Sequence, residues 1–374
     1  MQYRTLGSTG IKVSALGFGA MRLPTQPDRK VNRAEAVCVI HRAFELGVNY
    51  IDTAHGYHGG ESEEVVGEAL KGWRDRVTVS TKNPYKQSSG AEWRKNLETS
   101  LRRLGVDCID LYLYHFLSWT EVSGPMAVAG GPIEEAQKAK KEGKIRFLSF
   151  SCHDKPENVH RLIDTGELES MLVQYNLLDR QYAECLQHAH EAGLGTAVMG
   201  PVGGGRLGTP SEVISRATGR SRTVETALRF VLANPNVDVV LSGMESKQMV
   251  DENVATVERD DPLSEEELAR IDRLAEENRR ILDLPCTGCR YCVPCPQGVA
   301  IPEIFQFYQW HEAFGLKEAA RKRYRGLGRR WQEKNKPATT CVECRECEAK
   351  CPQKISIVEK LKEAHAALSS DGKA

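Results

Sequence analysis

Four polar residues in the first third of the chain, Asp52, Tyr57, Lys82 and His115, are of types that together move a proton onto an oxygen. A phenol has a reference pKa of about 10 and is a poor proton donor near neutrality without help. A neighbouring ammonium stabilises the phenolate and lowers that pKa, and a carboxylate paired with the ammonium keeps it charged and in place. A histidine beside the phenol can hydrogen-bond a substrate carbonyl oxygen and fix its orientation. Such a set protonates an oxygen while a hydride reaches the adjacent carbon. Each residue also has a plainer reading: Asp52 as a cap, Tyr57 as a loop aromatic, Lys82 as a surface lysine, His115 as a satisfied core histidine. Their common placement, at or just after the ends of consecutive predicted strands, favours the chemical reading.

A second chemistry lies in the tail. Of twelve cysteines, eight follow residue 285 in two arrays, Cys286, Cys289, Cys292, Cys295 and Cys341, Cys344, Cys347, Cys351, each closed by a proline. The second array is C-x₂-C-x₂-C-x₃-C-P, the run that wraps three thiolates around one corner of a [4Fe–4S] cubane. Structural zinc, the alternative, takes two pairs separated by a longer span. Cys38, Cys108, Cys152 and Cys185 fall inside predicted helices or strands and read as packing residues.

The elements that must position these groups follow a regular alternation. Predicted strands at 15–21, 50–52, 77–80, 108–114, 145–151, 171–175, 195–199 and 237–241 each precede an amphipathic helix, at 34–46, 62–70, 91–104, 132–141, 156–163, 183–192, 224–232 and 247–257. Eight such units in about 250 residues predict an α/β fold of the (β/α)₈ barrel type, whose catalytic groups sit at the C-terminal strand ends. A doubly wound sheet is the competitor, but Gly17-Phe18-Gly19-Ala20 lacks its third glycine. Residues 3–14 read as a hairpin turning at Gly7-Ser8-Thr9-Gly10 and plugging the barrel. Ser264-Glu265-Glu266-Glu267 is a capping box that opens a further helix, and Leu284-Pro285 marks the boundary. Two domains are expected, 1–284 and 285–374, the second small and mainly helical. Beyond the β/α period, no internal repeat is expected.

Composition narrows the classes. Hydrophobic residues are 40% and charged residues 27%, with 51 Lys+Arg against 51 Asp+Glu, so neither a membrane bundle nor a nucleic-acid-binding protein is indicated. The balance divides unevenly, 16 Lys+Arg to 10 Asp+Glu from Pro285 onward and 35 to 41 before it. With no signal-peptide pattern and clustered thiols, a cytoplasmic protein is expected.

Asp52-Thr53-Ala54-His55-Gly56-Tyr57, Gly60-Glu61-Ser62-Glu63 to Gly67-Glu68-Ala69-Leu70, Ser80-Thr81-Lys82 and Tyr112-Leu113-Tyr114-His115 resemble the motifs of the aldo-keto reductases. The opening segments Tyr3-Arg4-Thr5-Leu6-Gly7 and Val13 to Gly19 match that family's hairpin and first strand, so the resemblance covers roughly residues 1–280. It implies nicotinamide-dependent reduction of a small aldehyde or ketone, or the reverse, with Tyr57 as general acid/base, Lys82 and Asp52 tuning it and His115 orienting the carbonyl. It further implies nicotinamide contacts at Ser151, Gln174, Asn176 and Met199, with Cys152 where many relatives carry Asn. A diphosphate loop would fall at Pro201, Gly203, Gly204, Gly205 and Leu207, and the adenosine end at Gly243, Lys247, Glu252 and Asn253. Only Lys247 is basic there, and Glu245 would repel a 2′-phosphate, so NADPH is expected to hold at best a weak advantage over NADH. Met21, Tyr85, Phe116, Trp119 and the loop 118–131 would wall the substrate, or simply pack the loops.

The tail resembles a two-cluster bacterial ferredoxin, which implies two [4Fe–4S] clusters with the fourth cysteine of each array serving the other cluster. Cys286, Cys289, Cys292 and Cys351 would hold one, and Cys341, Cys344, Cys347 and Cys295 the second. The first array departs in having x₂ before its last Cys, and 45 residues separate the arrays. Within them, nine Lys/Arg and two Glu between Lys317 and Lys336 read either as a solvated helix face or as a docking surface for an acidic electron carrier such as ferredoxin or flavodoxin. The alternative to a reductase is a redox-sensing or electron-transfer subunit on a reductase scaffold. Clusters move single electrons and a hydride moves two, and no flavin motif is present to join them.

Overall fold

The computed structural model describes all residues except 29, 85–88, 260, 283, 285, 287–289, 330–334 and 371–374. Tyr85, Pro285, Cys289 and part of the basic run therefore lie outside the described residues. The chain forms two compact units, one from Met1–Gly203 with Ala227–Pro262, the other from Gly204–Thr226 with Leu263–Ala374.

The first unit is the barrel. A hairpin of β1 (Tyr3–Thr5) and β2 (Lys12–Ser14) precedes eight parallel strands: β3 (Leu16–Gly19), β4 (Tyr50–Asp52), β5 (Thr78–Asn83), β6 (Ile109–Tyr114), β7 (Ile145–Ser151), β8 (Ser170–Gln174), β9 (Gly195–Met199) and β10 (Val239–Ser242). They run in sequence order around the barrel, and β10 pairs with β3 to close it. Closure removes every edge, so all the strands can be apolar and buried.

Helix ends follow the side chains that cap them. Asn32 caps the helix Arg33–Glu45 by accepting from the Glu35 amide, and Ser246 caps Lys247–Glu258 through Met249. Gly105, at φ 64, ends Gly90–Leu104 in the left-handed conformation that glycine adopts without penalty.

The hairpin closes the N-terminal end of the barrel. Leu6 and Val13 are buried in one cluster with Tyr50, Leu111, Leu113, Leu172, Ala197, Val239 and Leu241. The turn is bonded to the barrel floor: Gly7 N–H donates to Asp238 Oδ2 at 3.1 Å and Ser8 N–H to Gly193 O at 2.8 Å. Gly7 has φ +46, and a Cβ there would lie 2.3 Å from the Gly195 nitrogen.

Among the described residues, no helix is long and apolar enough to cross a membrane. Gly7→Ala should lower stability by about 2–4 kcal/mol, from backbone strain plus a clash with immovable backbone. Gly10→Ala, also at positive φ but with open space around it, should lose only about 1–2 kcal/mol. Urea midpoints at unchanged m-value test this; equal losses would mean the floor contact contributes nothing.

Candidate active site

At the C-terminal mouth, Asp52 ends β4 and Lys82 lies near the end of β5, one strand over. Both are almost fully buried, at 4% and 1% exposure. Lys82 Nζ donates to Asp52 Oδ1 at 2.5 Å and to the Thr53 carbonyl at 2.6 Å, and Asp52 Oδ2 accepts from Ser80 Oγ at 2.8 Å. The ammonium sits 4.9 Å from the Tyr57 ring centroid. His115 follows β6 and meets Tyr57 edge-on, at 6.0 Å between centroids and 79° between planes. The four residues singled out by type thus come together in one place.

Tyr57 is carried by a single turn, Tyr57–Gly60, in which His58, Gly59 and Gly60 all have positive φ. Gly60 has φ +104, which favours glycine, and a Cβ there would displace the Arg103 guanidinium 2.6 Å away. The following helix, Glu61–Ala69, anchors the turn through residues whose roles the sequence reading did not assign. Glu63 is fully buried, accepting from Thr81 Oγ1 at 2.7 Å and from Arg103 at 3.2 Å, while Arg103 also donates to the His55 carbonyl. Ser62 Oγ bonds Thr53 Oγ1 at 2.8 Å and the Ala20 carbonyl at 2.9 Å. Glu63 therefore ties Tyr57's loop to β5 and, through Arg103, to the helix Gly90–Leu104.

Burial and charge set the protonation states. Burial works against the Lys82 ammonium, yet Asp52 and Tyr57 prevail and raise its pKa above the usual lysine value. Burial pushes the Tyr57 phenol up, and this outweighs the downward pull of Lys82. That weighting corrects the expectation that the lysine makes the phenol more acidic than an ordinary tyrosine. Burial, then Lys82 and His153, drive His115 down to about 3, so its imidazole is neutral. At neutral pH the mouth holds a protonated phenol, a cationic lysine and a neutral imidazole.

The expected nicotinamide contacts lie at the ends of the next strands. Ser151 is buried at the end of β7, and its Oγ accepts from the Phe116 amide at 3.0 Å. Gln174 ends β8 with its amide nitrogen on Asp179 at 2.7 Å. Asn176 is spent on the backbone, donating to Gly200 O at 2.9 Å and accepting from Leu178 N–H at 2.9 Å. Met199 ends β9, half-buried, and Pro201 is buried just beyond it. Gly243 follows β10 and packs against the Arg22 stem, which brings to that end a cation the sequence reading had not counted. Asn253 is buried and bonds Ser242 Oγ at 3.1 Å, while Lys247 and Glu252 share its helix. Of the glycine-rich loop, Gly203 belongs to the barrel unit, whereas Gly204, Gly205 and Leu207 belong to the other. A cleft of about 700 Å³ opens at the opposite, N-terminal strand ends and contains none of these residues; its Asp110 is paired with both Arg74 and Arg146.

In the second unit the cysteines line two voids. One is bordered by Cys295, Cys341, Cys344 and Cys347. The other is bordered by Cys286, Cys292 and Cys351. Ile301 borders both. Among the described residues, no three His, Cys, Asp or Glu side chains converge on a single ion position.

Around the voids the two arrays repeat each other, which overturns the expectation of no further repeat. Cys295-Pro296-Gln297-Gly298-Val299-Ala300-Ile301 parallels Cys351-Pro352-Gln353-Lys354-Ile355-Ser356-Ile357, and both Ile residues start helices, Ile301–Glu312 and Ile357–Ser369. Gly298 and Lys354 both have positive φ, as do Arg290 and Arg345, which each follow the second cysteine of an array. Arg290 pairs with Glu303 at 2.9 Å and Arg345 with Glu359 at 2.5 Å, the equivalent glutamates of the two helices. The segment 204–226 packs into this unit, with Arg206 over the Trp310 ring at 4.3 Å and Ser211 Oγ on the Phe314 carbonyl at 2.5 Å.

Residues 15–276 match the aldo/keto reductase family, and residues 285–356 match a 4Fe-4S dicluster domain. L-galactose dehydrogenase of Arabidopsis thaliana is 29% identical over 306 residues, covering 74% of this chain and 95% of that protein. The NADH-specific methylglyoxal reductase of Escherichia coli is 32% identical over 224 residues, covering 54% and 68%. Among solved structures, the holo form of the aldo-keto reductase AKR11C1 from Bacillus halodurans aligns with TM-score 0.63 and 31% identity, covering 73% of this chain and 96% of that one. With the closed eight-stranded barrel, these matches place the chain in the aldo/keto reductase family, as an oxidoreductase whose barrel is followed by a 4Fe-4S dicluster domain.

Proposed function

We propose that the barrel reduces a small aldehyde or ketone to the alcohol, with Tyr57 as the proton donor; the buried Lys82–Asp52 pair beneath its ring is the observation that carries this reading. NADH or NADPH, the family's cofactor, supplies hydride to the carbonyl carbon when bound. The donor set fits its carboxamide: Ser151 and Gln174 offer a hydroxyl and an amide at adjacent strand ends. Neutral His115 has one N–H to give the carbonyl oxygen and cannot repel the nearby ammonium. As negative charge builds on that oxygen, the Tyr57 O–H delivers its proton, and Lys82 stabilises the phenolate left behind. In the reverse direction the phenolate takes the proton from the alcohol. Glu245 at the adenosine end, together with the likeness to an NADH-specific relative, supports NADH as an effective cofactor.

For the second unit we propose two [4Fe–4S] clusters, held by Cys286, Cys289, Cys292 and Cys351 and by Cys341, Cys344, Cys347 and Cys295. The thiol sets lining the two voids support this partition. Lys317, Lys322, Arg323 and Arg325 are exposed on the helix Lys317–Arg325 and support an acidic electron carrier as one-electron partner. Thiolate-held clusters suit a reducing, cytoplasmic setting.

Tyr57→Phe should cut kcat for NAD(P)H-dependent aldehyde reduction by at least about a hundredfold with little change in KM; wild-type turnover would end the reading. Reduction needs neutral His115 and protonated Tyr57. Because His115 titrates at about 3 and Tyr57 above the ordinary phenol value, kcat/KM for reduction should stay flat through neutral pH and fall only in strong alkali. Alcohol oxidation, which needs the phenolate, should rise with pH. A reduction profile that breaks near pH 6–7 would show a charged histidine instead. Purified anaerobically, the chain should hold about eight irons, and Cys351→Ala about half of them. A single-site loss of all iron, or binding of zinc in its place, would contradict two separately ligated clusters.

A further inference from the structure

Phe116 is placed beside the reacting groups yet takes no part in the proton transfer just described. It follows His115 directly, beyond the end of β6. In an extended chain, consecutive side chains point to opposite faces and cannot stack. Here the His115 and Phe116 rings lie 4.3 Å apart with 21° between planes. The backbone explains how: Phe116 has φ +57, the left-handed region, which bulky L residues rarely enter. That kink folds the Phe116 ring back over its neighbour.

Such a conformation persists only where its surroundings fix it. Three bonds do so. The Phe116 amide donates to Ser151 Oγ at 3.0 Å, the Leu117 amide to the Ser151 carbonyl at 2.8 Å, and Cys152 Sγ to the Leu117 carbonyl at 3.1 Å. Cys152, where many relatives carry Asn, thus serves this turn as a donor. On its far face Phe116 stacks against His153 at 5.0 Å, and the ring remains 42% exposed at the mouth. With Tyr57 edge-on to the same imidazole, His115 is bracketed by aromatic rings on two sides.

We propose that Phe116 is a positioning residue for carbonyl reduction, its strained backbone holding its ring against His115 so that the imidazole N–H is aimed at the substrate oxygen. This rests on His115 as the carbonyl-orienting group. A residue serving packing alone would not be kept half-exposed in a conformation that glycine adopts freely.

The test uses the full holoprotein with Phe116→Gly, Phe116→Tyr and Tyr57→Phe, assayed with NADH and a short aliphatic aldehyde. Glycine suits the backbone, so the Phe116→Gly melting temperature should equal or exceed that of wild type. Its kcat should nevertheless fall roughly ten- to a hundredfold, the scale of losing a well-aimed oxyanion donor, with KM within about threefold. Phe116→Tyr keeps the stacked ring and should restore most of kcat. Nitrogen-15 NMR of the histidine rings gives a readout independent of turnover: His115 should show one tautomer in wild type and exchange between tautomers in Phe116→Gly. An unchanged kcat in Phe116→Gly, a change confined to KM, or an identical His115 spectrum in the two proteins would each overturn the proposal. If instead Tyr57→Phe matches wild type, the assignment of the reaction to this mouth fails, and the NMR comparison still decides whether Phe116 orients His115.

Discussion

The ion pair between Lys82 and Asp52 is the constraint on which the mouth is built. Both side chains are withdrawn from water, and desolvating two charges costs several kcal/mol per ion before their attraction is counted. An apolar pair of similar volume would hold the strands together as well or better. The pair is tolerated because its remaining hydrogen-bonding capacity is used: Ser80 on the second carboxylate oxygen, the Thr53 carbonyl on the ammonium. It leaves the face of the ammonium that looks at Tyr57 as the place where new negative charge is stabilised. In the proposed reaction, charge already balanced in the resting state would become useful when a phenolate forms above it, which is stabilisation of the transition state rather than of the substrate. The same burial favours the protonated phenol at rest, the form that the proposed reduction would need.

How much of this the sequence disclosed depends on the range of the interaction. Strand and helix positions are local matters of periodicity and capping, and the eight units, the hairpin and the Ser264–Glu267 capping box stand where the pattern puts them, the box with both reciprocal bonds made. Asp52, Tyr57, Lys82 and His115 were readable because a barrel sends strand ends to one mouth. Glu63 and Arg103 were not, because a buried acid and an exposed one look alike until a partner forty residues away is in place. Nor was Phe116: no residue type announces a left-handed phenylalanine, which depends on bonds from Ser151 and Cys152 on the neighbouring strand. The cysteine-array repeat was hidden for a different reason. The arrays correspond from Cys286 and Cys341, but one extra residue before Cys351 shifts the register and a long linker separates them, so the match beyond Cys295 and Cys351 and the equivalent Arg–Glu pairs stand out only in the structure.

The two units divide the chemistry as well as the chain. The carbonyl reduction proposed for the barrel would be complete with one dinucleotide and one tyrosine proton, so its electron balance would need no iron–sulfur centre. The second unit is built for another task. Two helices begin beside the two voids, their N-terminal ends carrying the partial positive charge that favours an anion, and among the described residues Ile301 alone stands at the border of both. The matched arginines are each paired with the equivalent helix glutamate, Arg290 with Glu303 and Arg345 with Glu359, which ties each array to the helix that follows it. That arrangement would suit the anionic clusters proposed for the two cysteine sets.

The chain boundary between these tasks is not a single cut. The segment 204–226, which leaves the barrel after β9 and returns to it before β10, packs into the cluster-bearing unit through Arg206 on Trp310 and Ser211 on Phe314. Its start, Gly203-Gly204-Gly205, is the stretch whose glycines were read as a diphosphate loop. Backbone at positive φ through three consecutive residues has little local preference of its own, so its conformation is set by whatever it is anchored to. Here the anchor is the helical unit around the cysteines.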